Sequence, residues 1–140
     1  MSDDIGQSVR ERLEATSQVT NICGRNIFAD ALEQDCELPA VVVQVPQAFV
    51  YEDINGSNRI FQSHINVLAY GKDRPQANLL AKVIRDNALA ADLRGRINGM
   101  DWQEVSLVAG PNELMDQPVD GSDRYRKLTL QQFTIWNNPV

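Results

Sequence analysis

The feature that most constrains the fold is a pair of extended stretches separated by a turn. Residues 40–45 read Ala-Val-Val-Val-Gln-Val, a β-branched run typical of a strand buried on at least one face. Asn55 and Gly56 follow, a dipeptide that strongly favours a tight hairpin turn. Residues 61–69 then largely alternate between apolar and polar side chains, the period of a half-exposed strand. The sequence therefore predicts a long hairpin, with an edge or a bulge at Pro46 because proline donates no N–H.

Two other stretches have helical periodicity. In residues 3–19 apolar side chains recur every fourth position between charged ones, which predicts a surface helix with one narrow apolar stripe. In residues 75–91 apolar side chains recur at three- and four-residue spacing after Pro75, a residue favoured in the first turn of a helix. Residues 21–38 carry neither period, so we expect them to be irregular.

The last third of the chain is extended again. Residues 102–109 alternate loosely and predict a strand, which Gly110-Pro111 is expected to break. Residues 113–119 form either a further strand or a loop. Residues 125–136 are predicted to form the last strand.

That last strand changes the parity of its apolar side chains, from Leu128 and Leu130 to Phe133 and Ile135. A strand with apolar side chains on both faces contains a bulge or has two covered faces. If both faces are covered, the second could be covered by another subunit.

No repeat, low-complexity tract or linker divides the chain. We therefore expect one domain spanning residues 1–140, an α+β fold with a mainly antiparallel sheet and two main helices packed on it. No apolar run approaches the roughly 20 residues that span a bilayer, and no signal peptide opens the chain. The expected protein is soluble and has no membrane partner.

Charge is unevenly distributed. The formal net charge of -6 argues against a nucleic-acid-binding surface, and the bases in residues 59–96 have no accompanying aromatic stacking platform. Acids dominate residues 30–53 and 101–123. Either these charges balance within one monomer, or an acidic patch on one copy meets a basic patch on the next in a head-to-tail oligomer.

The sequence offers little catalytic chemistry. His64 is the only histidine and occupies a polar position of a predicted strand, while nucleophile-elbow, P-loop, dinucleotide and zinc-protease motifs do not occur. Cys23 and Cys36 lack metal-site spacing and are expected to be reduced thiols. Residues 120–123, Asp-Gly-Ser-Asp, are better explained as a tight turn than as a metal loop. We predict no catalytic residue, cofactor or metal.

An ordered set of motifs resembles the tail completion, or tail terminator, family of long-tailed phages and prophages. The set comprises Leu-Pro-Ala-Val-Val-Val at residues 38–43, Asp-Gly-Ser-Asp at 120–123, Tyr125-Arg126, and Phe-Thr-Ile-Trp at 133–136. The resemblance implies a tail-terminator-like fold whose copies form a hexameric ring on the head-proximal end of the tail tube. Such a ring stops tube polymerisation and presents the surface that joins the head.

The partners implied by the resemblance are further copies of the chain, the tail tube protein and the head-tail connector protein. The implied location is the virion tail, after assembly in the host bacterial cytoplasm. A ring whose bore passes DNA is expected to repel phosphate, so no sequence-specific nucleic-acid binding is predicted. Candidate turn and assembly-surface residues are Asn55, Gly56, Asp120, Gly121, Ser122, Asp123 and Arg126.

Two other functions remain open at this point. A neck protein that joins head to tail without capping the tube differs only in the partner that it binds. A small bacterial binding module without a viral role would be encoded away from capsid and tail genes.

Overall fold

The computed structural model describes residues 4–32, 36–52, 59–90, 93–97, 100–116 and 126–139. Its elements are helices α1 (Ile5–Ala15) and α2 (Ser17–Cys23), strands β1 (Ile27–Ala29), β2 (Ala40–Glu52) and β3 (Arg59–Gly71), helix α3 (Arg74–Val83) with a π-helical turn (Ile84–Ala88), and strands β4 (Gly95–Ile97), β5 (Met100–Asp116) and β6 (Arg126–Pro139). No helix in these ranges is long and apolar enough to cross a membrane.

The strands form one six-stranded sheet in the order β1-β2-β3-β6-β5-β4. Strand β1 runs parallel to β2, and the other four described pairings are antiparallel. The sheet is therefore mixed, although it is mainly antiparallel as predicted. The α+β class is confirmed.

The helices pack on one face of the sheet. Their apolar stripes, including Val9, Leu13 and Leu80, share one buried cluster with the strand positions that point to the same side, such as Ile65 and Phe133. We call this side the helix-bearing face. The opposite side, the helix-free face, carries a smaller cluster at one end.

The N-termini of α1 and α3 are capped by aspartates. Asp4 Oδ1 accepts from the Gln7 N–H at 2.6 Å, and Asp73 Oδ1 accepts from the Gln76 N–H at 2.8 Å. Each cap satisfies a donor that the helix itself leaves unpaired. Pro75 lies in the first turn of α3, as predicted.

Residues 3–19 do not form one helix. The chain leaves helical geometry at Thr16, with φ -93° and ψ 106°, and starts again as α2. Residues 21–38 were expected to be irregular, which is wrong for the end of α2 and for β1. These elements have seven and three residues, too few to show a period, and they form because Val19, Cys23 and Ile27 are buried in the main cluster.

The predicted hairpin is confirmed. Strands β2 and β3 pair from Ala40 opposite Tyr70 to Glu52 opposite Arg59. The register shifts between Gln44 and Gln47, which places the bulge at the proline as predicted.

Strand β5 was expected to break at Gly110-Pro111, and this was wrong. The strand continues to Asp116, and register shifts against β6 on both sides of Ala109 absorb the irregularity. Gly110 has φ +97°, and a Cβ there would lie 2.5 Å from the Leu130 carbonyl oxygen. Glycine supplies both the left-handed backbone and the close approach that let the strand pass its proline.

The parity change in β6 reflects two covered faces and not a bulge against β3. The register between β3 and β6 is unbroken from Phe61 opposite Asn137 to Gly71 opposite Lys127. Phe133 belongs to the main cluster, whereas Leu128 belongs to the cluster on the helix-free face. That smaller cluster contains Phe28, Leu32, Leu38, Val42, Leu68, Tyr70, Leu128 and Leu130. At this end of the sheet the second face is thus covered by the chain itself.

Candidate assembly surface

Most of the residues singled out in the sequence lie outside the described residues. This applies to Asn55 and Gly56 and to residues 120–123, Asp-Gly-Ser-Asp. Arg126 is described as the first residue of β6, with its guanidinium carbon 5.5 Å from the centre of the Tyr70 ring. A cation in this position over an aromatic face is attracted to it, so Arg126 is held against the small cluster.

The register shows which described residues lie nearest in the chain to these two segments. The register places Ala40, Tyr70, Leu128 and Leu114 in one row across the sheet, next to the β5–β6 connection. Val50, Phe61, Asn137 and Trp102 form another row, next to the β2–β3 connection. The described strand ends on either side of these two segments therefore lie at opposite ends of the sheet.

Exposed apolar side chains are concentrated on three strands. Of the ten large apolar side chains found exposed among the described residues, only Leu79 of α3 lies elsewhere. We call the first group the hairpin patch; it consists of Val45, Phe49, Val50, Tyr51 and Ile60. We call the second group the β5 patch; it consists of Leu107, Val108, Leu114 and Met115.

The aromatic members of the hairpin patch, Phe49 and Tyr51, make ring contacts on the helix-free face, whereas Val50 lies on the helix-bearing face. The rings of Phe49 and His64 meet edge to face with centres 5.6 Å apart, and those of Tyr51 and Trp136 are 5.5 Å apart. The Tyr51 hydroxyl donates to Gln62 Oε1 at 3.3 Å. Tyr51 is nevertheless 50% exposed, so the patch is ordered without being covered.

Both patches lie along strand edges that are only partly paired. Strand β1 covers β2 only at Val41–Val43, and β4 covers β5 only at Met100–Trp102. Within the described strands, residues 44–52 of β2 and 103–116 of β5 pair on one side only. Such edges offer a row of backbone donors and acceptors to another strand.

A groove on the helix-bearing face adjoins the β5 edge. It has a volume of about 480 Å³ and is lined by Arg85, Asp86, Leu89, Ala90, Val105, Leu107 and Phe133. Arg85 donates to Gln131 Oε1 at 3.2 Å, and the fully buried Gln131 donates to the Ala81 carbonyl at 2.8 Å. These bonds fix the side of the groove formed by α3 and its π-helical turn.

The middle of the helix-free face is polar and has few charges. Gln44 and Asn66 lie opposite each other there, with an amide hydrogen bond of 3.5 Å, and His64 lies opposite Thr134. Along β2, β3 and β6, Arg126 at the far end is the only cation among the described positions on this face. The middle of this face, away from Arg96 on β4, is therefore weakly attractive to phosphate.

Among the described residues, no group of His, Cys, Asp and Glu side chains could hold a metal ion. His64 is half-buried against Phe49. Burial raises the pKa of the Cys23 thiol from its ordinary value of 9.0 to about 11. This thiol therefore remains protonated near neutral pH and is a poor nucleophile.

The sequence model of the family described as "Tail completion protein gp17" matches residues 7–126 of the chain. A solved structure described as "Virion of native gene transfer agent (GTA) particle" contains a chain with the same fold. The two chains are 16% identical, the alignment covers 96% of this chain and 95% of that one, and the TM-score is 0.57. A comparison with curated proteins finds no match.

Proposed function

The chain belongs to the tail completion protein gp17 family, a family of phage tail structural proteins, and we propose that it closes the head-proximal end of a tail tube as a ring of identical copies. The ring, a hexamer in the tail-terminator-like arrangement, stops addition of tube protein and offers a surface to the head connector. The observation that carries this proposal is the pair of exposed apolar patches on opposite edges of one sheet.

A ring needs two different surfaces on each copy. Head-to-tail contacts join one surface to another, whereas a two-fold dimer joins a surface to itself. The hairpin patch and the β5 patch differ in residues and lie on opposite edges of the sheet. Large apolar side chains left exposed together are typical of interaction sites. This arrangement supports a cyclic assembly.

The composition of the helix-free face supports placing this face toward the bore of the ring. Lys and Arg side chains that line a bore would retain DNA, because they bind its phosphates and release the counterions condensed on it. The polar, cation-poor positions around Gln44, Asn66 and Thr134 do not bind phosphate in this way. The net charge of -6 also disfavours attraction of DNA over longer distances.

The same residues support a structural role without catalysis. His64 contacts Phe49 instead of a carboxylate or a nucleophile, and the raised pKa of Cys23 disfavours its thiolate. The described surface instead offers exposed apolar side chains and the backbone donors and acceptors of the β2 and β5 edges.

The proposal is tested by mixing the purified protein with tail tubes of its own phage or prophage and imaging them by negative-stain electron microscopy. Added density at one end of each tube is expected, together with arrest of further growth when free tube protein is supplied. Bare tube ends, with a protein that remains monomeric at high concentration, would contradict the proposal. Binding to the connector but not to tubes would instead identify a neck protein.

A further inference from the structure

The free edges of β2 and β5 run in directions that suit each other. Strand β2 is antiparallel to β3, β3 to β6, and β6 to β5, so β2 and β5 point in opposite directions within one copy. When copies are related by rotation about an axis roughly parallel to the strands, β2 and β5 keep their strand directions in every copy. When β5 of one copy approaches β2 of the next, the two strands are antiparallel and the helix-bearing faces stay on one side.

We propose that the free edge of β2, residues 44–52, of one copy pairs with the free edge of β5, residues 103–116, of the next, so that the sheets join around the ring. This inference rests on the proposed function and assigns its self-contact. The occupant of each edge is therefore a second copy of this chain.

Two short strands decide how the copies must be offset. Val50 is level with Trp102, the last residue of β5 that β4 covers. Val43, the last residue of β2 that β1 covers, is level with the part of β5 around Pro111. Without an offset, β4 of one copy and β1 of the next would both lie between the two edges.

A single offset along the strands removes the first obstacle and most of the second. Moving the next copy toward the β5–β6 connection by three or more positions carries Glu52 past the end of β4. Moving it by four brings Val43 level with Met115, so that β1 then overlaps only the last two residues of β5. Both movements have the same direction because the two short strands cap opposite ends of the edges.

The tilt of strands in closed sheets predicts an offset of this size. Four strand spacings of about 4.8 Å separate equivalent strands of joined copies, roughly 19 Å in total. Strands in closed sheets tilt by about 35–45°, which offsets neighbouring copies along the strand by about 13–19 Å. At about 3.3 Å per residue this is about four to six positions.

The offset brings the two apolar patches together. Opposite residues of paired strands share a face, so the offset must be an even number of positions. An offset of four positions sets Val50 opposite Leu107 on the helix-bearing face. These side chains are 51% and 39% exposed in the single copy and become neighbours.

The first test is crosslinking in a Cys36→Ser background, which leaves only the buried Cys23. Val50→Cys and Leu107→Cys are introduced together, and a short bis-maleimide is added in the presence of tail tubes. A ladder of covalent multimers is expected on a denaturing gel. Leu79→Cys replaces Leu107→Cys in the matched control, because Leu79 is 53% exposed but lies on neither edge, and this control should give no ladder.

The second test is a charge exchange. Val50→Asp or Leu107→Lys alone should weaken assembly about tenfold, because a charge is placed in an apolar contact. The double variant should recover most of the loss, since each interface then pairs the two charges. In a single copy the two residues lie on opposite edges of the sheet, so their effects on monomer stability should simply add.

The outcomes separate this inference from the proposed function. Normal density at tube ends with no ladder, and with additive losses in the charge variants, would overturn the edge pairing and leave the ring intact. Absence of any density at tube ends would contradict both the edge pairing and the proposed function.

Discussion

The hydrogen bonds of Ser8 give a stability prediction that can be worked out from the structure. Ser8 is fully buried on α1, where its hydroxyl accepts from Trp102 Nε1 at 3.1 Å and donates to the Ile97 carbonyl at 2.9 Å. In Ser8→Ala the indole N–H of Trp102, a residue only 1% exposed, has lost this acceptor. A buried donor left unsatisfied costs about 1–3 kcal/mol, so we expect a loss of about 2 kcal/mol in the free energy of unfolding.

This loss converts to a measurable change in melting temperature. The unfolding entropy of globular proteins is about 2.1 cal/mol/K per residue, or about 0.3 kcal/mol/K for a chain of this length. A loss of about 2 kcal/mol therefore lowers Tm by about 7 °C. Circular dichroism during heating measures the change, and urea unfolding gives an independent value of the free energy.

Ser17→Ala is the matched control, because Ser17 is an exposed serine in a helix. Its hydroxyl donates a hydrogen bond to the side chain of the adjacent Gln18 and not to a distant strand. Its effect should stay within about 0.5 kcal/mol. If Ser8→Ala and Ser17→Ala melt within about 1 °C of each other, the Ser8 bonds do not hold α1 to the β4–β5 edge as argued.

Three further predictions follow from individual contacts. Gly110→Ala should lower the free energy of unfolding by at least about 1–2 kcal/mol in urea titrations, because it combines a left-handed backbone with a close approach to the Leu130 carbonyl. Burial raises the pKa of Cys23 from 9.0 to about 11, so the folded state holds this proton more tightly than the unfolded state does. The resulting contribution to the free energy of unfolding is complete below pH 9 and is lost as pH rises toward 11. Melting temperature should thus fall more steeply over that range in the wild type than in Cys23→Val, and parallel curves would contradict this. Ring assembly should change less than about tenfold between about 0.05 and 0.5 M salt in light scattering, since apolar and backbone contacts are weakly screened.

The long elements could be predicted from the sequence because periodicity accumulates with length. The hairpin of β2 and β3 and the start of α3 follow from alternation, helical spacing and the position of Pro75. Strands β1 and β4 have only three residues each, and no period can be read from so few. Their formation depends on pairing with β2 and β5, which is information from distant parts of the chain.

The exposed apolar patches were harder to predict because exposure depends on the whole sheet and not on a single strand. Residues 49–51, Phe-Val-Tyr, resemble a buried strand in sequence. Val50 is exposed because the helices reach only part of the helix-bearing face, and Phe49 and Tyr51 lie on the helix-free face beyond the level of Val43, where β1 stops. A strand near the edge of a sheet has an apolar sequence whether its partner is in the same chain or in another copy.

The segregated charges of the sequence left two explanations open, and the contacts of Arg74 and Arg85 favour internal balance for these two cations. The Arg74 guanidinium lies 3.7 Å from Glu113 and also donates to the carbonyls of Leu114 and Leu128, at 2.9 and 2.8 Å. It thereby clamps α3 to β5 and β6. Arg85 lies 3.7 Å from Asp86 and donates to Gln131.

Cations engaged in this way have less to offer a neighbouring copy, so charge complementarity alone is a weak basis for a ring. The clamp by Arg74 does something else for assembly. By joining α3 to the carbonyls of Leu114 and Leu128, it holds the terminal part of the β5–β6 hairpin in the plane of the sheet, where the β5 edge is available along its length. In the proposed ring, the basic segment would thus act by positioning an apolar edge within one copy rather than by attracting acids on the next.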